Sequence, residues 1–390
     1  MAVRVVGWSP FRPIGLTHLD PERASEGYTL ITPPGDSAYL LDLRGRIVHR
    51  WQFPGHHPGY GRLLPNGHLL MRALVRGLPP PATVEFGAEH PPLREHVRRM
   101  AGGATHLLEV DWDGRITWQH EELLMHHDFA RLPNGNTIYL TWDELDPATE
   151  LAVQGGLPRR AGEVLPPLLG DALVEVDAGG HEVWRCQVWR LLDPAADPLC
   201  VLEPRWAWTH ANGIGLTAAS EVLVSCRNND RVLAIGRASG ELTWKWGRAH
   251  HQHSPIETPA GTVMLFDNGV HRANLPRSRV VEIDRTTGAV AWEWEGDPPE
   301  SFFSWNVSNA EPLANGNVLV CEGAAGRLFE LTREGEVAWE WLSPFRGRLQ
   351  GRSTAIIFRA HRYPPDHPAF AGLNLDAGRH RDLNESLGLA

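Results

Sequence analysis

The chain has 390 residues and a formal net charge of −10, from 47 acidic against 37 basic residues, with no basic run. That balance argues against nucleic acid or an anionic membrane as a partner. Its four cysteines, Cys186, Cys200, Cys226 and Cys321, lack metal or redox spacing, and no apolar run suits a signal peptide or a membrane span, so a reduced cytoplasmic protein is expected.

Taken in chain order, residues 1–24 read as an N-terminal segment, and a repeated phrase follows them. Six copies occur: LLDLRGRIVHRW ending at Trp51, LLEVDWDGRITW at Trp118, LVEVDAGGHEVW at Trp184, VLAIGRASGELTW at Trp244, VVEIDRTTGAVAW at Trp292 and LFELTREGEVAW at Trp339. Apolar and polar residues alternate on both sides of a glycine turn, which is the pattern of a half-buried β-hairpin. A second phrase precedes most copies, as in RLLPNGHLLM at 62–71, RLPNGNTIYL at 131–140 and PLANGNVLVC at 312–321. Its Asn-Gly centre predicts a tight hairpin with positive φ at both corner residues.

Two hairpins per repeat make a four-stranded sheet, and six such sheets predict an all-β, six-bladed β-propeller over 25–365. STAIIFRAHRY, after Arg352, is a candidate strand to close the ring with the N-terminal part of the chain, and 366–390 reads as a C-terminal tail. The first three intervals between the repeat tryptophans exceed the last two by roughly 12–20 residues, judged against the length of bare propeller repeats. The excess falls at 77–104, 143–171 and 190–206, predicting long loop insertions over one face, either plain surface loops or a lid.

The residues heading the first strand of each blade reach the mouth of such a channel. His127, His210 and His253 hold that position in the third, fourth and fifth blades, and His56 and His57 come slightly earlier in the second. A single histidine there is ordinarily structural, but converging imidazoles serve no packing need and suit nucleophilic, acid–base or metal-ligand roles.

The chain resembles the aryl sulfotransferases that work without a nucleotide sulfate donor. The likeness rests on HHDFARLPNGNT, WTHANGIG with VSCRNND, the QHS of 252–254, FDNGVHR at 266–272, SRVVEID at 278–284 and IFRAHRY at 357–363. It implies a six-bladed propeller that moves a sulfuryl group from a phenolic donor to a phenolic acceptor, through a sulfo-histidine and without a cofactor. By motif it implies that His210 and His253 are supporting histidines and that Arg272 holds the sulfate oxygens.

Where the resemblance places the covalent histidine, this chain reads SWNVSNAEPLANGN, with Asn306, Ser308 and Asn309, so His127 becomes the leading nucleophile. The catalytic candidates are therefore His127, His210, His253 and Arg272, with His57, Arg227 and Asn309 as substrate-binding candidates for a small aromatic or anionic substrate. Two other readings stand beside this one. His57, His127, His210 and His253 could ring an iron, copper or zinc ion, with Asp128 or Glu311 behind them; or the propeller could bind a small molecule without catalysis.

Overall fold

The computed structural model of the chain describes residues 13–75, 102–158, 167–273, 275–349 and 352–389. Its strands form the six four-stranded blades of a β-propeller. β1 (Gly15–Leu19) comes before the first blade, which uses β2 (Tyr28–Ile31), β3 (Ser37–Leu41) and β4 (Ile47–Gln52). The second blade is β5 (His56–Leu63), β6 (Leu69–Val75), β7 (His106–Val110) and β8 (Ile116–Glu121). The third is β9 (Met125–Arg131), β10 (Thr137–Glu144), β11 (Leu169–Val176) and β12 (Glu182–Gln187). The fourth is β13 (Ala211–Leu216), β14 (Glu221–Cys226), β15 (Arg231–Gly236) and β16 (Leu242–Trp246). The fifth is β17 (His253–Glu257), β18 (Val263–Asp267), β19 (Arg279–Ile283) and β20 (Val290–Glu295). The sixth is β21 (Asn309–Pro312), β22 (Val318–Glu322), β23 (Arg327–Leu331) and β24 (Val337–Leu342). A short hairpin, β25 (Gly347–Leu349) with β26 (Arg352–Thr354), leads to β27 (Ala360–Tyr363).

The Asn-Gly turns differ from the expected geometry. Within them, positive φ falls on Gly67, Gly135 and Gly316 and not on the asparagines. The Gly67 N–H donates to the Leu64 carbonyl (3.0 Å), so Pro65 and Asn66 are the corners. Proline's fixed φ suits the first corner, and the following glycine supplies the left-handed residue that returns the chain to the ladder. The Asn66 side chain accepts from the His68 N–H (3.1 Å), so asparagine is there to bridge the turn.

The acid of the repeated phrase ties blades together. Glu175 on β11 accepts from Asn136 Nδ2 (2.6 Å) at the turn of its own blade and from the Arg237 guanidinium (2.7 Å) of the next. Burial pushes Glu175 up, yet the bonds from Arg237 and Asn136 outweigh it and hold the carboxyl below its ordinary 4.5. Glu282 on β19 repeats the arrangement with Thr262 and Arg333, and Glu330 on β23 does so with Asn317 and Arg362.

Tryptophans of the outer strands make a second set of ties. Trp51 Nε1 donates to the Asp111 carbonyl (3.2 Å), Trp292 to Arg333 (3.0 Å) and Trp339 to Leu43 (2.7 Å), each in a turn of the following blade. Trp341 does the same to Gly45 (3.2 Å), where a Cβ would fall 2.3 Å from the indole. Only glycine lets the ring lie that close.

β27 pairs antiparallel with β2, so the strand after Arg352 completes the first blade. β1 adds a fifth strand to the sixth blade, running antiparallel to β24 with Gly15 opposite Leu342. After β27, helix α2 (Arg381–Ser386) presents Asn384, which accepts from the Ile47 N–H (2.7 Å) and donates to its carbonyl (3.0 Å). Between β10 and β11 lies helix α1 (Pro147–Ala152), capped by Asp146 accepting from the Thr149 N–H (2.8 Å). Most of the expected insertion at 77–104 lies outside the described residues, as do 159–166 within the insertion at 143–171.

Two compact units can be drawn. The first ends at Ala73 and resumes over Leu108–Trp118 and from Thr258; the second is Leu74–Leu107 with Gln119–Glu257. The first buries one cluster around Trp339, Trp341 and Leu328 and another around Trp51, Leu69 and Met71. The second buries a cluster around Trp208, Leu173, Val224 and Leu233.

Glu330→Ala should destabilise the protein by about 3–5 kcal/mol, because it strands the buried Arg362 guanidinium. Glu282→Ala, whose partner Arg333 is 39% exposed, should cost well under half of that. Urea unfolding midpoints of the two variants measure the difference.

Candidate active site

Three first strands, β9, β13 and β17, lie side by side in the second unit, with β13 in the middle. Their heads are distorted. His127 has φ 51°, His210 φ 45° and Ser254 φ 55°, all in the region that favours glycine. Pairing on β9 skips from His126 to Phe129, and on β13 from Ala211 to Gly213. Such bulges re-aim side chains, and strain in non-glycine residues persists where the surroundings enforce it.

Asp171 on β11 enforces much of it. Its Oδ2 accepts from the Thr209 hydroxyl and from the Ala211 N–H (2.8 Å), the two residues that flank His210. Its Oδ1 lies 3.0 Å from His126 Nε2, a close approach that is not aligned as a hydrogen bond. His126 Nδ1 meets His127 Nδ1 at 3.0 Å, and the His127 and His210 rings sit edge to face at 4.8 Å. Trp142 closes the group from β10, stacked on His126 at 3.8 Å and 5.4 Å from His210.

His126, His127, Asp171 and His253 are buried, whereas His210 keeps part of its surface. Burial holds the His210 imidazole well below its ordinary 6.5, helped by the Arg227 guanidinium and by His126 and His253. Its ring is therefore neutral near pH 7. The Arg227 N–H donates to the His210 carbonyl (3.3 Å), and its guanidinium is anchored by Glu203 (2.8 Å) and Asn228 (2.8 Å).

Neighbouring blades are locked around this group. Asp128 Oδ2 accepts from the Ile214 N–H (2.7 Å), and Asn212 Nδ2 donates to the Gln252 carbonyl (2.9 Å). The described end of the 77–104 insertion packs here too, since the His127 N–H donates to the Gly102 carbonyl (2.7 Å). A Cβ on Gly102 would fall 2.3 Å from His127 Nε2. Trp142 also lines a cleft of about 280 Å³, with Leu124 and Leu169 beside Glu122, Asp143, Glu144 and Arg185.

The structure thus brings His127, His210, His253 and Arg227 into one neighbourhood. The remaining candidates belong to the first unit. His57 is exposed on β5. Arg272 donates to Asp267 (2.8 Å), which also takes Arg279 (2.7 Å). Asn309 donates through Nδ2 to the Ala360 carbonyl (2.8 Å) and accepts from its N–H (3.0 Å), which pins β27 to β21. Ligand nitrogens of His127, His210 and His253 do not gather within 4.8 Å of one another, a compactness that a shared ion needs.

Sequence reasoning missed His126, Asp171 and Trp142. Asp171 interrupts the apolar run LLGDALVEV, and a charge at a buried strand position was its available signal. Nothing in spacing marked Trp142, which belongs to a β10 unlike the other second strands.

Fold and site together describe a six-bladed propeller with a histidine group at the heads of its first strands. The profile of the arylsulfotransferase (ASST) family matches residues 36–250, and the chain belongs to that family. A second profile, outer membrane protein assembly factor BamB, matches residues 170–349. No curated protein matches the sequence. Among solved structures, a protein of unknown function from Bacteroides caccae aligns with TM-score 0.53 at 13% identity, covering 87% of this chain and 99% of that one. A catalytically inactive virginiamycin B lyase from Staphylococcus aureus, solved with quinupristin, aligns with TM-score 0.46 at 10% identity, covering 85% and 88%. Among the described residues no helix is long and apolar enough to cross a membrane.

His210 should shape the pH dependence of stability. Its folded pKa lies below its unfolded value, so its contribution is complete above 6.5 and is lost as pH falls from there towards the folded value. His210→Gln cannot take up that proton, so its thermal midpoint should fall less than the parent's between neutral and mildly acidic pH.

Proposed function

We infer that this chain moves a sulfuryl group between phenolic oxygens, with His210 as the imidazole that meets the substrate. What carries this reading is the combination at His210: a neutral ring, a residue that keeps part of its surface, and flanking groups, the Thr209 hydroxyl and the Ala211 N–H, both held by Asp171. A neutral imidazole nitrogen attacks the sulfur of an aryl sulfate, an N–S bond forms, and the aryl–oxygen bond to sulfur breaks. The departing phenolate takes a proton from a neighbouring histidine, His127 or His253. An acceptor phenol then reverses the sequence.

Transferring sulfuryl oxygens gather negative charge, which Arg227 and a protonated neighbouring histidine can stabilise. Of the two, His253 would be the better placed proton donor, and His127 would be kept from the nucleophile's role, since its Nδ1 engages His126 and Gly102 covers Nε2. The motif assignment of Arg272 to the sulfate oxygens is a separate proposal, tested by Arg272→Ala in the same assay.

Incubation with an aryl sulfate should release phenol and leave a sulfuryl mass increment on the His210 peptide. His210→Ala should abolish both, and Asp171→Asn should lower turnover by ~10²–10³, the usual effect of misplacing one essential group. A mass increment on the His127 peptide in the parent protein would reverse the roles given to these two histidines. No phenol from any aryl sulfate would overturn the reading.

A further inference from the structure

A groove of about 830 Å³ in the first unit plays no part in the reaction above. Residues 22–26, after β1, form one side of it. The turns between β21 and β22 and between β23 and β24, with Pro364 and Pro365 after β27, form the rest. A concavity of that size is in the range that holds a small organic ligand.

Its rim is acidic. Glu22, Glu26, Glu334 and Glu336 line it, with Arg23 as the cation among the lining residues. Arg23 pairs with Glu336 and lies 3.6 Å from Asp20, so it offsets no more than one of the four. Glu22 and Glu26 are exposed and have no ion-pair partner among the described residues. Exposed carboxylates alone are ordinary surface, and the floor is what sets this groove apart.

Ser25 and Asn317 line the floor and are only 9% and 8% exposed. The Ser25 N–H donates to Glu330 (2.7 Å) and its carbonyl accepts from Arg362 (3.3 Å), but its hydroxyl has no partner. Asn317 Nδ2 donates to the Arg23 carbonyl (2.9 Å) and to Glu330 (2.6 Å). Both of those partners are acceptors, which fixes the amide and leaves Oδ1 unpartnered. Neither oxygen is sealed inside the protein, so both face the groove.

Two fixed acceptors below and carboxylates above call for a ligand that brings donors and positive charge. An ammonium is a compact cation with three donors and bonds single oxygens, whereas a guanidinium fork matches paired ones. The carboxylates do not converge. Among the described residues no three of them bring an oxygen within 4.8 Å of one another, as a single metal ion needs. Charges spaced along a chain fit that spread better. Ala24, Ala314, Pro364 and Pro365 add apolar surface on which methylenes can lie. We propose that the groove binds a linear aliphatic polyamine, with one ammonium on the Ser25 hydroxyl and Asn317 Oδ1 and the others among Glu22, Glu26 and Glu334.

The test titrates the full chain with spermidine, 1,4-diaminobutane and magnesium chloride by calorimetry at fixed ionic strength, with thermal midpoints in parallel. Spermidine should bind saturably, more tightly than the diamine, and raise the midpoint with concentration. Magnesium should do neither. Glu22→Gln combined with Glu26→Gln should weaken spermidine by ~3–10-fold, the effect of losing two exposed charge contacts. Ser25→Ala should weaken it by ~10-fold, because a hydrogen bond to a charged group is among the stronger ones. The same variant should leave the midpoint of the unbound protein unchanged, since the hydroxyl has no partner to lose. Absence of saturable binding, an equal effect of magnesium, or unchanged affinity in these variants overturns the proposal. A lowered midpoint of unbound Ser25→Ala also overturns it, because the hydroxyl would then be bonded within the protein.

Discussion

Blade-to-blade hydrogen bonding by buried polar side chains is the constraint on which this protein depends. A four-stranded sheet of this size cannot bury both faces alone, and its neighbours must be held at a fixed distance and tilt. Apolar packing supplies most of the energy but little direction. Direction comes from carboxylates and amides that reach across. Glu175, Glu282 and Glu330 each take one donor from their own blade and one from the next. Asp128, Asn212 and Asn309 do the same at the first strands, through backbone groups of the following blade. Because these groups are buried, loss of one partner leaves the other unsatisfied, which makes the geometry hard to relax.

The histidine site uses the same device for a different end. Asp171 also reaches from one blade to the next, but its two acceptor bonds straddle His210 instead of spacing a strand. That bracket holds a non-glycine residue at φ 45° and keeps its ring in a largely desolvated setting near the Arg227 guanidinium. Structural and chemical demands therefore meet on one carboxylate. His126 deepens the coupling, because it touches Asp171 on one side and His127 on the other. Glu311 shows a related economy, serving both the Arg362 N–H and His361 Nδ1.

Much of this was legible in the chain. The copies of the repeat, their tryptophans and the strand after Arg352 follow from alternation and period, because a blade writes its own sequence pattern. His127 and the phrase around His210 flagged the third and fourth blades. Turn geometry was misread at Asn66, Asn134 and Asn315: the dipeptide Asn-Gly is compatible with two hairpin turns, and the preceding Pro65 or its equivalent, with the loop length it implies, selects the other. Asp171 was marked only as an acid breaking the apolar run LLGDALVEV, and an acid in a strand gives no sign of which loop it will bracket.

Local pattern, then, determined that this chain builds six blades and which residues stand at the heads of their first strands. Alternation and turn chemistry act between residues close in sequence, so they survive in the sequence as period and phrase. Tertiary structure alone decided what those heads touch. It brought Arg227 and His253 near His210, gave its neighbours Thr209 and Ala211 to Asp171, and turned Asn309 to the backbone of Ala360. It also gathered Arg62, Arg72 and Arg359 around two aromatic rings from positions nearly three hundred residues apart. Burial, charge and contact at those sites depend on which strand lies next to which, and that is a property of neighbouring blades rather than of any one phrase.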